Sequence, residues 1–418
     1  MNIWIFNHYA TTPAHVGGTR HFDLAKHLSD RGHQVTIFAS SFNHFSKKEM
    51  VFHSKEKPSE VEWINGIKYV WINTPAYRHS LGRVKNILSY TLKSYKIAIA
   101  SCAEESPDIV IGSSVHPLAA IVGYLTAKKA NCKFYFEERD LWPQTFVDFG
   151  KISSTHPLAI VLYKLESFLY EKAERIIVLF DKAKNYVESR GVDPNKVIYL
   201  PNGVNLSPYE QVEKTLHVDE MFKGLENKFV VAYIGSHGIA NHLEPVIDLF
   251  SMLQDHPEIH LLLVGGGAKK QELMERVQKE NLRNITFKDP VPKSHIPYLL
   301  SKVQMGIISI LDTPLYKWGF SMNKIYDYMA AGLPIVMVAN PDLSGSLSGV
   351  KGVHAQDDLE KLKQVIVDAF HSAKKLQEEG RFLREYVKEH YSWEVLGGQL
   401  EAVMLQDTEG VEINEKIV

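Results

Sequence analysis

Cysteine is almost missing from this sequence: only Cys102 and Cys132 occur in 418 residues. Two thiols are too few for a disulfide framework or a four-thiolate zinc site, so a reducing, cytoplasmic setting is expected. Long apolar runs are also lacking, and no stretch reaches the 18 or so residues of a spanning helix. The opening residues, MNIWIFNHYATTP, have no basic leader and no extended apolar segment, which argues against a signal peptide. Excess charge is absent too: 47 Lys and Arg stand against 49 Asp and Glu, a formal net of −2. A chain built to coat nucleic acid would be far more basic, so nucleic acid is not an expected partner. Several catalytic signatures are missing as well. There is no G-x-G-x-x-G, no P-loop, no H-E-x-x-H among the many histidines, no G-x-S-x-G elbow and no Asp-x-Asp. No metal site and no cofactor are therefore expected.

What is present is strand and helix in alternation. Short β-rich runs recur at 2–6, 34–39, 67–71, 108–111, 133–136 and 175–179, with amphipathic patterns at 19–31, 119–130 and 157–174. Such alternation predicts parallel strands with crossover helices. A turn cluster, Pro201-Asn202-Gly203, closes the first series, and residues 210–227 read as a linker with a short helix. The alternation restarts at 229–234 and runs through 259–264, 285–287, 305–310 and 334–339. Two open α/β sheets are predicted, one in residues 1–205 and one in 227–388. Charge divides along the same line: residues 1–205 carry 25 basic against 19 acidic groups, and residues 206–418 carry 22 against 30. Opposite signs on two halves fit two lobes with different partners, or a simple drift of surface charge.

Both halves open alike. NIWIF leads to Gly17-Gly18 and a helix; VVAYI leads to Gly235-Ser236-His237-Gly238 and a helix. A glycine-rich strand-to-helix turn leaves backbone N–H groups near a positive helix end, where phosphate binds well. It also serves tight packing alone. The segment 319–334, GFSMNKIYDYMAAGLP, is the most informative. Ser321 or Asn323 can cap a helix over 321–331, stopped by Gly332-Leu333-Pro334. Lys324 and Asp327, three apart, project from one face. Together with the N–H groups of Ser321, Met322 and Asn323, Lys324 suits a diphosphate, and Asp327 suits ribose hydroxyls. The same spacing also describes an ordinary surface ion pair.

Those two glycine-rich halves, with PNGV at 201–204, LLLVGGG at 261–267 and NKIYDYMAAGLPIV from 323, resemble a retaining family 4 glycosyltransferase of GT-B fold. Within that family the sequence is most similar to enzymes that build bacterial surface polysaccharides such as O-antigen and capsule, on its Asp140-Leu141-Trp142-Pro143 tetrapeptide and the YMAAG-like run. The resemblance implies two doubly wound Rossmann-like domains facing each other across a cleft. The first would bind acceptor and the second a nucleotide diphosphate sugar, UDP favoured over GDP, with residues 389–418 crossing back to the first. It implies transfer of a hexose or N-acetylhexosamine-type sugar with retained configuration and no required metal. Of the family's two glutamates eight apart, the second falls at Asp327 and the first at Gly319, a departure. The family's Arg and Lys near the first helix of the second domain are replaced by His237, Asn241 and His242, which leaves Lys324 as the cation for the diphosphate. His116 stands where the family has a sugar-proximal histidine; a helix cap is the other reading. Glu138 or Asp140 could take the acceptor proton, or form an ion cluster with Arg139. An epimerase of the same fold and a non-catalytic sugar-binding protein are the alternatives.

Residues 78–100 form the last signal. They combine Arg78, Arg83, Lys85, Lys93 and Lys96 with Leu81, Val84, Ile87, Leu88, Leu92 and Tyr95, without one acidic residue. The apolar spacing is helical and suits either a core helix or one lying in an anionic headgroup layer. The second option would hold the protein at the inner face of the cell membrane, near a polyprenyl-diphosphate-linked glycan acceptor.

Overall fold

A computed structural model of the chain describes residues 1–52 and 57–410. It divides into two compact units: Met1–Pro201 together with the chain from Trp393 onward, and Asn202–Ser392. Residues 411–418, part of the tail expected to cross back, lie outside the described residues.

The first unit is built on an eight-stranded sheet. Its strands are β1 (Asn2–Phe6), β2 (Gln34–Ser40), β3 (Ser59–Ile64), β4 (Ile67–Ile72), β5 (Ile109–Ser113), β6 (Lys133–Glu138), β7 (Arg175–Val178) and β8 (Val197–Tyr199). Their order among the described residues is β3-β4-β2-β1-β5-β6-β7-β8, parallel except for the antiparallel β3–β4 pair. β1 is central and buried along its whole length, as a strand covered by helices on both faces must be. Ile3 pairs with Val35 on one side and Ile109 on the other. β3 was not foreseen: SEVEWI alternates charge with apolar residues and sits on the edge, with Trp63 largely exposed.

The final helix, Trp393–Glu409, belongs to this unit. Trp393, Leu396, Leu400, Val403 and Met404 enter the core beside Ile5, Ile37 and Tyr135. Asp407 receives the Tyr135 hydroxyl at 2.6 Å and pairs with Arg175 at 2.6 Å, and Glu401 accepts from His33 at 2.8 Å.

The second unit has a six-stranded parallel sheet: β9 (Phe229–Ile234), β10 (Ile259–Val264), β11 (Ile285–Lys288), β12 (Met305–Ser309), β13 (Ile335–Val338) and β14 (Val353–Gln356). Among the described residues their order is β11-β10-β9-β12-β13-β14. In both units the first strand lies inside the sheet with neighbours reached from opposite directions, a doubly wound topology whose switch point lies beside that strand's carboxyl end. Residues 206–226 are more than a connector: Tyr209, Val218, Met221, Phe222 and Leu225 pack into this unit's core with Ile308 and Met329.

Candidate functional site

In the second unit the turn after β9 is shaped by glycines that tolerate no side chain. A Cβ at Gly265 would meet the Gly235 carbonyl oxygen at 1.8 Å, and one at Gly267 would meet the His237 carbonyl oxygen at 2.5 Å. The LLLVGGG run therefore serves as the wall against which the 235–238 turn lies. His237 N–H donates to the Gly266 carbonyl at 2.8 Å and fixes that contact. The His237 side chain is fully buried, yet both ring nitrogens lack a hydrogen-bond partner. Burial, with Lys270 and Lys324 nearby, pushes its pKa down to about 4, so the ring is neutral. An unpartnered buried polar group is costly and marks a place where a ligand can supply the missing bond.

Lys324 meets this turn. Its Nζ donates to the Tyr233 hydroxyl at 2.8 Å and to Asn241 Oδ1 at 3.0 Å, and lies 4.3 Å from the centre of the Tyr233 ring. A Cβ on Gly235 would come within 3.1 Å of the same nitrogen. Tyr233 is held in turn by donating to the Ser236 carbonyl at 2.7 Å. Among the described residues no carboxylate pairs with Lys324, and burial pushes its pKa down to about 7. An amine held among neutral oxygens is poised to accept an anion. Ser236 itself is exposed beside it.

The helix that carries Lys324 spans Asn323–Ala330. It starts later than expected, with Met322 at the cap position and no side-chain cap. The expected caps are otherwise placed: Ser321 Oγ accepts from the Asn202 N–H at 2.8 Å, and Asn323 is exposed. That engagement joins the PNG turn to the start of the helix and leaves first-turn N–H groups without side-chain partners. Gly319 has φ +92, a backbone that side chains rarely adopt, so a glutamate would be strained there. Asp327 accepts from the Tyr209 hydroxyl at 2.7 Å, and burial raises its pKa. Lys324 and Asp327 thus do not form the surface ion pair that their spacing allows. Each keeps its own partners.

The first unit gathers a different set. His116 caps the helix Pro117–Ala130, its Nδ1 accepting from the Ala119 N–H at 3.3 Å. Its Nε2 therefore carries the proton and donates to His8 Nδ1 at 2.7 Å. Burial, then Arg83, pushes the His116 pKa down to about 3. Gly17 lies under the Phe45 ring, where a Cβ would approach to 2.9 Å, and the Gly18 carbonyl accepts from Thr11 at 3.2 Å.

The two candidate bases differ in access. Glu138 is buried, with Oε2 accepting from the Tyr170 hydroxyl at 2.5 Å. Burial and the neighbouring Glu166 hold its pKa well above the usual carboxylate range. Asp140 is exposed on the loop after β6, next to a cis Trp142–Pro143 peptide. Neither forms an ion pair with Arg139 among the described residues. The ion cluster belongs to Glu137 instead, which takes Arg20 Nε at 2.8 Å, His21 Nε2 at 2.7 Å and Ser113 Oγ at 2.6 Å. Burial would raise the Glu137 pKa, but His21 and Arg20 outweigh it and hold the group well below the usual range. Arg20 also donates to the carbonyls of Leu200 and Pro201, where the chain leaves the unit.

Sequence reasoning missed Tyr233, Tyr209, Arg20 and Glu137. Tyr233 lies inside an apolar strand run and Tyr209 between the Pro201-Asn202-Gly203 turn and the expected linker, so neither stood out. Glu137 was visible only as one of four charges in EERD.

The helix over residues 80–101 turns its polar side inward. Asn86, Tyr90, Ser94 and Ala98 are buried, whereas Leu81 and Leu92 are 86% and 64% exposed, and Val84 and Leu88 are exposed with them. Among the described residues no helix is long and apolar enough to cross a membrane.

Comparison with known proteins agrees with this architecture. Residues 17–208 match the model for Glycosyltransferase Family 4, and residues 228–372 match that for Glycosyl transferases group 1. The chain is 23% identical over 275 residues to WcaI of Escherichia coli (strain K12), which bears the name colanic acid biosynthesis glycosyl transferase. That match covers 63% of this chain but only 66% of the relative's length. Among solved structures, sucrose-phosphate synthase from Thermosynechococcus elongatus superposes with a TM-score of 0.73 at 17% identity, covering 98% of this chain and all of the other. HepE of Anabaena, solved in complex with UDP, gives 0.68 at 15% identity, covering 96% and 99%. The folds are the same, a pair of Rossmann-like domains of GT-B type. With one family model over each domain, in the order that this fold requires, the chain belongs to the family 4 glycosyltransferases.

Proposed function

We propose that the protein is a retaining glycosyltransferase that moves a hexose or N-acetylhexosamine-type sugar from a UDP-sugar to a lipid-linked glycan acceptor in surface-polysaccharide synthesis. The observation that carries this reading is the uncompensated amine of Lys324 at a glycine-walled turn, beside a neutral buried His237 and the open start of the 323–330 helix. These groups suit a diphosphate. As the bond between the sugar carbon and the diphosphate oxygen breaks, negative charge grows on that oxygen. Fixed donors aimed at it act where charge develops. Lys324 supplies the charge that a metal ion would supply elsewhere, so the reaction is proposed to need no metal. Asp327, held by Tyr209, is assigned to the donor ribose, and His116 to the sugar. Asp140, the accessible carboxylate after β6, is the better-placed of the two acids to receive the acceptor proton.

The names carried by WcaI of E. coli and by the amylovoran biosynthesis protein AmsD of Erwinia amylovora support the polysaccharide assignment. The outward leucines of the 80–101 helix, with no acidic residue from 78 to 100, support peripheral contact with an anionic bilayer at the inner face of the cell membrane. A thermal-shift screen of UDP, GDP and their sugars tests the donor site, because a ligand that binds only the folded state raises Tm by mass action. UDP compounds are expected to give the larger shift. Product anomeric configuration by NMR, with and without EDTA, tests retention and metal independence. A screen without any nucleotide-dependent shift would overturn the reading.

A further inference from the structure

A second charged cluster lies in the first unit, at the carboxyl ends of β1, β2 and β4, and the donor chemistry leaves it unused. Tyr9 follows β1, His44 and Lys47 follow β2, Tyr77 follows β4, and Arg83 stands in the first turn of the 80–101 helix. The Tyr9 ring stacks on His44 at 4.6 Å, and Arg83 Nε donates to the Tyr9 hydroxyl at 3.2 Å. Lys47 Nζ sits 4.4 Å from the centre of the Tyr77 ring and 3.4 Å from His44 Nδ1, whose partner is the Tyr77 hydroxyl. Two cations and an imidazole thus share one aromatic frame. Among the described residues neither Lys47 nor Arg83 has a carboxylate partner. Burial and mutual repulsion lower the affinity of Lys47 and His44 for protons, and no acid opposes the effect.

Like charges assembled without counter-charge cost stability unless an anion joins them. Rigid aromatic rings hold both cations in place ahead of binding, so little side-chain entropy remains to be lost. The position is also telling. The carboxyl ends of parallel strands are where open α/β sheets bind ligands. On the same helix, Leu81 and Val84 flank Arg83 and are exposed. Phosphate-binding groups therefore adjoin an apolar surface.

We propose that Tyr9, His44, Lys47, Tyr77 and Arg83 form a binding site for the phosphate or diphosphate group of the acceptor, a site separate from the donor diphosphate site at Lys324. The inference rests on the transferase reading for the word acceptor, but the site itself does not. Its ligand is a phosphorylated amphiphile, with the anion on Lys47 and Arg83 and the apolar chain toward Leu81 and Val84.

Calorimetric titration with inorganic pyrophosphate tests this, with saturating UDP present to occupy the second unit. Wild-type protein is expected to bind pyrophosphate, and Lys47→Gln and Arg83→Gln are each expected to weaken it at least tenfold. Lys47 is exposed, so its variant remains informative if Arg83→Gln folds poorly. UDP affinity should stay within twofold in both variants, and Lys128→Gln, an exposed control on the 117–130 helix, should change neither. Farnesyl diphosphate binding tighter than pyrophosphate identifies a lipid phosphate; equal binding identifies a water-soluble phosphate carrier. Failure of UDP to bind would remove the donor reading and leave the pyrophosphate arm, run without UDP, to decide this one. No binding of either diphosphate by wild type, or binding that both variants retain in full, overturns the proposal.

Discussion

Lys324 should make nucleotide binding depend on pH in a way that few surface lysines could. Its amine titrates near 7 in the free protein, against an ordinary 10.5, because burial among neutral groups disfavours the charge. A diphosphate placed against it restores that charge, and binding must then take up a proton. The sign follows directly: as pH rises above 7 the free amine is increasingly neutral, and protonating it costs part of the binding energy. If the bound pKa returns to about its ordinary value, the dissociation constant for UDP should rise about 16-fold between pH 7 and pH 8.5, or ~1.6 kcal/mol. At pH 8 each UDP bound should take up about 0.9 proton. Isothermal titration calorimetry in buffers of different ionisation enthalpy reads both quantities. Lys324→Met should bind UDP more weakly at pH 7 and lose the pH slope and the proton uptake together. A wild-type affinity that is constant over this range without proton uptake would refute the reasoning, because it would leave Lys324 outside the diphosphate contact.

Asp327→Ala should raise the donor KM by about 1.5–3 kcal/mol, the loss of a charged hydrogen bond, with little change in kcat. Tyr209→Phe, which frees the carboxylate without removing it, should have a smaller effect in steady-state kinetics; equal effects would mean that Asp327 acts only through Tyr209. Glu137→Gln should destabilise the fold by about 3–5 kcal/mol in urea melts, since Arg20 is left buried without its charge partner. The Glu137 pKa is held low in the folded state, so this stability is present above the ordinary carboxylate pKa. The gap between wild type and variant should shrink as pH falls through the folded value; a gap independent of pH would show that the charge is not responsible. In liposome flotation, binding should increase with anionic lipid and fall when Lys85 and Lys96 become Glu or when Leu81 and Leu92 become Ser. Lys93, one of the five basic residues of this segment, donates to the Asn73 carbonyl at 2.6 Å and is a poorer choice. Equal flotation of all variants would remove the membrane contact.

The elements that could be read from sequence are those whose signal is local. Buried parallel strands are continuous apolar runs, and ten of them or more announce themselves by composition alone, β1 as NIWIF and β10 as IHLLLV among them. β3 and β14 did not, because SEVEWI and VHAQ each have a solvent-facing or half-buried side and too few apolar residues to stand out. The same limit governs the site. Lys324 was legible because the helix that carries it follows a glycine and precedes an AAGLP stop. Its partners were not, since Tyr233 and Asn241 lie more than eighty residues earlier and only the order β9–β12–β13 brings them near.

Charged groups give the clearest case. From sequence, Glu137, Glu138, Arg139 and Asp140 are four neighbours of equal standing. In a strand, successive side chains face opposite sides, so Glu137 and Glu138 must part company whatever their chemistry. Glu137 turns toward Arg20 and His21 on the first helix and is held charged. Glu138 turns toward Tyr170 and Glu166, and burial holds its pKa well above the usual carboxylate range. Asp140, past the strand end, reaches solvent. The alternation of the backbone thus sends the two strand acids in opposite directions, whereas Asp140, beyond the strand, has its pKa raised by burial of the carboxyl despite its exposed position. On the proposed assignment of Asp140 as the base, replacing Asp140 should abolish transfer while leaving donor binding intact, and replacing Glu138 should instead lower Tm. A variant set in which Glu138→Gln loses transfer at unchanged stability and Asp140→Asn does not would reverse the assignment.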